Sequence, residues 1–164
     1  MPDALTTTPR GMTFEEFEVG MEWHTAARTV TETDIVLFAG MSGDWNPLHS
    51  DAEFAARSMF GQRLAHGTLG LVIATGLVAR LGLIDGTAIA ARGIRDWKFK
   101  RPIFIGDTVH ARVRVAELEP VPRLGGGMVT FYVTLMNQRD EEVQAGSVIV
   151  GLKSMTEDGG RKTE

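Results

Sequence analysis

From Gly67 to about Leu83 the chain reads GTLGLVIATGLVARLGL, and its first thirteen residues, to Ala79, carry no charge. A helix that is apolar nearly all the way round needs cover nearly all the way round. Gly70 and Gly76 lie inside this stretch, each costing a helix about 1 kcal/mol relative to alanine. Their presence points to surfaces pressed close against the helix backbone. A sheet wrapped around the helix would supply both the cover and the close approach, and an ordinary core helix that happens to be glycine-rich is the competing reading. The stretch is too short to cross a bilayer, which takes about 20 residues.

Beyond this helix the period of the pattern changes. Val109, Ala111, Val113 and Val115 alternate with His110, Arg112 and Arg114, which predicts a half-exposed strand. Pro120, Pro122 and residues 125–127, all glycine, mark a loop. Val129, Phe131, Val133 and Leu135 then alternate with polar neighbours, Asn137 to Glu141 reads as a tight turn, and Val143 to Leu152 as a last strand. Upstream, Glu22 to Val30 alternates and reads as one strand. Thr31 and Asp34 have capping-box spacing, and Ile35, Phe38 and Ala39 follow at helical intervals, predicting about two turns of helix to Gly40. Thr13 to Val19 fits either a helical turn or a lead-in, and Asp51 to Met59 is helix-compatible. Helices grouped ahead of a run of strands argue an α+β domain with helices on one face of an antiparallel sheet.

Composition narrows the function. A chain of 164 residues that is 43% hydrophobic suits one core and is too short for two, so we expect a single domain over residues 12–153 between polar tails at 1–11 and 154–164. A net charge of -4 offers no basic field, which argues against nucleic acid and anionic membrane as partners. The absence of cysteine removes thiolate nucleophiles and cysteine-based metal sites and fits a reducing compartment. With no signal-type apolar run near the start, the expected location is the cytoplasm.

The chemistry-bearing residues concentrate between Phe38 and Gly67. Asp44, Asn46, Pro47 and His49 fall within six positions. Pro47 pushes Asn46 out of the helical region, so Asp44 and His49 cannot stack on one continuous helix and are expected on an irregular connection. Asp, Asn, Gly and Pro are also common turn formers, and a turn alone would explain most of the motif. His49 adds what a turn does not need. A carboxylate beside an imidazole is the minimal set for general acid-base work, because imidazole titrates near neutral pH and a carboxylate can orient it or share its proton.

Phe38, the run SGDWNPLH from Ser42 to His49, and His66-Gly67 at the head of the apolar helix together resemble the signature of the MaoC-like, or R-specific enoyl-CoA hydratase, family. The segment WKFKRPIFIGDT, Trp97 to Thr108, is similar to the strand-turn that follows the central helix in that family, so the resemblance spans residues 31 to 115. It implies the hot dog fold, a curved antiparallel sheet around a long central helix, and a dimer whose sheets join edge to edge. It also implies a substrate that is an α,β-unsaturated acyl thioester of coenzyme A or of acyl carrier protein. On that reading Asp44 and His49 are the catalytic pair and the backbone N–H of Gly67 is the oxyanion donor, as the first N–H groups of a helix have no intrahelical partner.

Asn46 either supports the site or holds the turn. His66 is either a supporting residue or a packed helix-entry residue, and Thr75, where some family members carry serine, either supports the site or bonds its own helix. Arg92, Lys98, Lys100 and Arg101 receive no role. A metal site is not expected, since no local spacing brings a third ligand to His49 and His66, and no cofactor is expected beyond the coenzyme A of the substrate. A non-catalytic acyl-thioester-binding or scaffold subunit and a hot dog thioesterase are the alternatives. The first should lack Asp44 or His49, and the second should carry a carboxylate on the central helix, where Gly67 to Ala79 has none.

Overall fold

In the structure, a computed structural model describing residues 11–155, a long helix lies against the inner face of an antiparallel sheet. The sheet is built from β1 (Glu22–His24), β2 (Arg28–Thr29), β3 (Ala88–Phe99), β4 (Thr108–Val121), β5 (Gly126–Met136) and β6 (Glu142–Lys153). The strand order is β1-β4-β5-β6-β3, with β2 also pairing with β4. Register shifts interrupt β4 between Val115 and Glu117 and β3 at three places, and such irregularities let long strands bend.

The alternation in β4 does what it predicts: Val109, Ala111, Val113 and Val115 are fully buried. They share one core with Val129, Phe131, Val133 and Leu135 of β5 and with Leu69, Ile73, Ala74 and Leu77 of the long helix α4 (Gly67–Ala79). Burying each Leu, Ile or Val contributes about 1.5–3 kcal/mol, so this layer is the main source of stability. The arrangement is the hot dog fold, with α4 as its central helix.

Three shorter helices precede it: α1 (Glu32–Ser42), α2 (Pro47–Ser50) and α3 (Ala52–Ala56). Thr31 caps α1, accepting from the Asp34 N–H while the Asp34 carboxylate accepts from the Thr31 N–H at 2.8 Å, so the capping box is present as its spacing predicts. The helix runs past Gly40 to Ser42. A single 3-10 turn, Phe14–Glu16, occupies the segment left open near the start.

Two expectations are corrected. The strand read over Glu22 to Val30 is two strands, because the register against β4 slips by one residue between Thr25 and Arg28, which pairs with Val109. Thr25 keeps its N–H bond to the Ala111 carbonyl at 2.9 Å, and its hydroxyl accepts the Ala111 N–H at 2.9 Å. The central helix ends at Ala79, and it is not covered on every side: Thr68, Val72, Gly76 and Ala79 form an open stripe, with Val72 half exposed. The sheet covers one face of the helix and leaves the other to whatever packs there.

The tails expected at 1–11 and 154–164 lie largely outside the described residues. Gly11, Ser154 and Met155 are described, and they bond Asp85, Gly125 and Glu15 respectively. No helix among the described residues is long and apolar enough to cross a membrane.

Candidate active site

The site begins where α1 stops. Gly43 takes a left-handed conformation, φ 77°, and its N–H closes on the Ala39 carbonyl. Glycine adopts that conformation without Cβ strain. The Ser42 hydroxyl donates to the Phe38 carbonyl at 2.7 Å and accepts the Asp44 N–H at 3.2 Å. Asp44 in turn accepts the Asn46 N–H on Oδ1, and Asn46 accepts the Leu48 N–H at 3.0 Å, capping α2. Asn46 Oδ1 therefore serves the turn here.

Asn46 is non-helical, φ -52° and ψ 134°, as expected of a residue before proline, and Asp44 and His49 share no helix, but Pro47 opens a helix where an irregular connection was expected. At the first helical position a missing N–H breaks no bond and the fixed φ suits the helix. His49 thus stands on one turn of helix rather than on an irregular loop, while Asp44 stays outside it on exposed backbone.

The ring of His49 is oriented by Leu64, whose carbonyl lies 2.8 Å from Nδ1. A carbonyl can only accept, so Nδ1 carries the hydrogen and the neutral ring keeps its lone pair on Nε2. His66, buried at 1% exposure, uses Nε2–H to donate to the Asp44 backbone carbonyl at 2.9 Å. Its ring lies on that of His49 with centroids 3.8 Å apart. It makes no helix-cap bond, so the residue read as a helix-entry position is a strut between the two candidate catalytic groups.

Asp44, His49 and Gly67 line one cavity of about 520 Å³, together with Thr68, Phe99 and Gln144. Gly67 and Thr68 open α4, and neither N–H has a hydrogen-bond partner among the described residues. A side chain at position 67 would place its Cβ 3.0 Å from the Phe99 ring. Lys100 and Arg101 stand at the same cavity. Lys100 is paired with Glu142 at 2.7 Å, which raises its pKa, and Arg101 donates to the Glu142 carbonyl at 2.8 Å.

Thr75 is not part of this constellation. Its hydroxyl bonds the Leu71 and Val72 carbonyls of its own helix, and it borders a separate apolar cavity with Val78, Phe131 and Val148. Gln144, Thr68 and Phe99 were not singled out from the sequence; a glutamine inside an apolar strand gives no signal until the strand's neighbours are known.

The fold also corrects the argument about metal ligands. Donor atoms of Asp44, His49 and His66 lie within 4.8 Å of one another, although no sequence spacing announces the third. Each ring gives one nitrogen to a backbone carbonyl, and the other nitrogen of His66, Nδ1, is buried without a hydrogen-bond partner among the described residues.

Residues 15–134 match the model of the MaoC like domain. The chain belongs to the MaoC-like family. Over 120 residues, 70% of each chain, this MaoC-like protein is 38% identical to a 3-hydroxybutyryl-CoA dehydratase of Methylorubrum extorquens. It is 37% identical to an (R)-specific enoyl-CoA hydratase of Rhodospirillum rubrum, over 74% of this chain and 78% of that one. Among solved structures it is similar to an Archaeoglobus protein described as a monoamine oxidase regulatory protein, with a TM-score of 0.85 and 37% identity over 90% of this chain and 98% of that one. The MaoC-like chain is thus a hydratase-family domain on a hot dog scaffold.

Proposed function

We propose that this protein adds water reversibly across the double bond of a trans-2-enoyl thioester to give an (R)-3-hydroxyacyl thioester. The observation that carries the reading is one cavity lined by Asp44, His49 and Gly67, whose N–H at the start of α4 has no partner among the described residues. Asp44 and His49 hold a water between them. His49 Nε2, freed by the bond from Nδ1 to Leu64, takes a proton from that water as its oxygen bonds to C3. The π electrons move toward C2 and the thioester carbonyl, and the charge on that oxygen is met by the Gly67 N–H, aided by the helix dipole. The acid-base pair then returns a proton to C2, so that one water is consumed and no cofactor is needed.

The relatives' names supply the substrate class and the R configuration, and the thioester is carried by coenzyme A or by a carrier protein. Gly67 to Ala79 contains no carboxylate, which counts against a thioesterase. We further propose that the working form is a homodimer joined along β3, an edge strand with Ile94 and Phe99 more than half exposed. The test is hydration of crotonyl-CoA by the purified protein, followed as loss of enoyl thioester absorbance, with Asp44→Asn alongside. The variant is expected to be slower by at least about a hundredfold. An Asp44→Asn protein as active as the parent, or a parent inactive on short and long enoyl thioesters alike, would overturn the proposal.

A further inference from the structure

We infer that Gln144 is a positioning residue for the oxyanion-binding end of α4, acting through a buried relay from Trp97 to Gly67; the inference rests on the hydratase reading for its catalytic consequence. Gln144 is a long polar side chain at 2% exposure, near the start of β6. Its amide is used at both ends. Trp97 Nε1–H, from the edge strand β3, donates to Oε1 at 3.0 Å, and Nε2–H donates to the Gly67 carbonyl at 3.0 Å.

The surroundings are shaped to admit this contact. A Cβ at Gly70 would lie 2.1 Å from Gln144 Nε2, and one at Gly146 would lie 2.6 Å from the Trp97 backbone. Two glycines, one on the helix and one on the sheet, leave the space that the relay fills. Their places in the chain gave no hint of a shared purpose.

The relay bears on the chemistry because of which peptide groups it touches. The Gly67 carbonyl and the Thr68 N–H belong to one peptide unit, so a hydrogen bond donated to that carbonyl polarises that N–H. The preceding unit is treated in the same way: the His66 carbonyl accepts from the Leu69 and Gly70 N–H groups at 3.0 and 3.3 Å, which polarises the Gly67 N–H. Two adjacent N–H groups without partners among the described residues therefore belong to residues that line the cavity, with their carbonyl partners engaged, one by the helix and the other by Gln144. A buried amide cannot leave Gly67 without being stranded, so the relay ties the head of the helix to the sheet. Small misplacements of an oxyanion donor are enough to slow a reaction severely.

The test is the kinetics of Gln144→Leu and Gln144→Glu on crotonyl-CoA. Leucine fills the space and makes neither bond. Glutamate still accepts from Trp97 but cannot donate to Gly67 when ionised, and it brings negative charge toward the developing enolate. The expected result is a kcat lower by about tenfold for leucine, KM within about twofold of the parent, and a larger loss for glutamate. A merely structural residue would not give that order or that split.

Amide ¹⁵N order parameters provide a readout independent of turnover. Those of Gly67 and Thr68 are expected to fall in Gln144→Leu while those of β5 hold. An unchanged kcat in Gln144→Leu, or unchanged order parameters at Gly67 and Thr68, would overturn the inference. A parent protein inactive on enoyl thioesters would instead overturn the hydratase reading, and the order parameters would then decide the relay alone.

Discussion

Replacing His49 with asparagine separates the proposed base from the fold around it. The asparagine amide nitrogen falls close to where Nδ1 sits, so the variant keeps a donor for the Leu64 carbonyl, now at 2.8 Å from the ring, and loses the lone pair on Nε2. The expected structural cost is the stacking on His66 and part of the ring's packing, in the range of about 1–2 kcal/mol for a half-buried side chain. In a domain of this size that is about 2–4 °C of Tm per kcal/mol. The expected catalytic cost is the loss of general acid-base assistance, about 10²–10⁴-fold, or about 2.7–5.4 kcal/mol in the barrier.

The two effects are therefore separable. Crotonyl-CoA hydration should fall by at least about two decades in a protein that still melts cooperatively within several degrees of the parent. A His49→Asn protein that turns over at the parental rate would refute the assignment of the base. A variant that loses activity only because it no longer melts cooperatively would refute the claim that Leu64 orients the ring without depending on it.

Gly67→Val should lower kcat by tenfold or more and disturb the assembly state less than the activity, although the added Cβ meets the Phe99 ring of β3 at 3.0 Å; unchanged steady-state rates would remove the oxyanion role. Ile94→Arg, on the free edge of β3 where Ile94 is 55% exposed, should shift sedimentation from dimer to monomer, and an unaltered sedimentation coefficient would place the interface elsewhere.

The parts of this fold that could be read from the chain are those where one local rule acts alone. Thr31 and Asp34 form their capping box, and Val109 to Val115 bury alternate positions, because each follows a pattern complete within a few residues of chain. β3 gave no such signal. As an edge strand with almost every residue at least partly exposed, and with Asp96 at φ 54°, it has neither a buried face nor a regular register to imprint an alternation. The split between β1 and β2 was equally silent, since it depends on the register each keeps against β4, far along the chain.

In the site, Asp44, His49 and Gly67 could be picked out as residues, yet the partners that orient them could not. Leu64 contributes only a carbonyl, which every residue has. His66 looks the same in sequence whether it caps a helix or braces a neighbour. Pro47 does separate Asp44 from His49 as expected, but the helix it opens was missed because the same ring that breaks a helix from within is well suited to begin one.

The pinch at Leu64 has a further consequence. Its N–H bonds the Leu48 carbonyl, its own carbonyl holds His49, and it bridges to Phe104, while the next residue, Ala65, bonds Ile103. The chain from Ser50 to Arg63 is thereby a closed excursion whose two ends are stapled side by side onto the scaffold. Phe60, carried on it, lines the cavity. Such a segment is held at its two ends, so the distance from imidazole to helix head is set by the staples at Leu64 and Ala65 and not by the residues between Ser50 and Arg63.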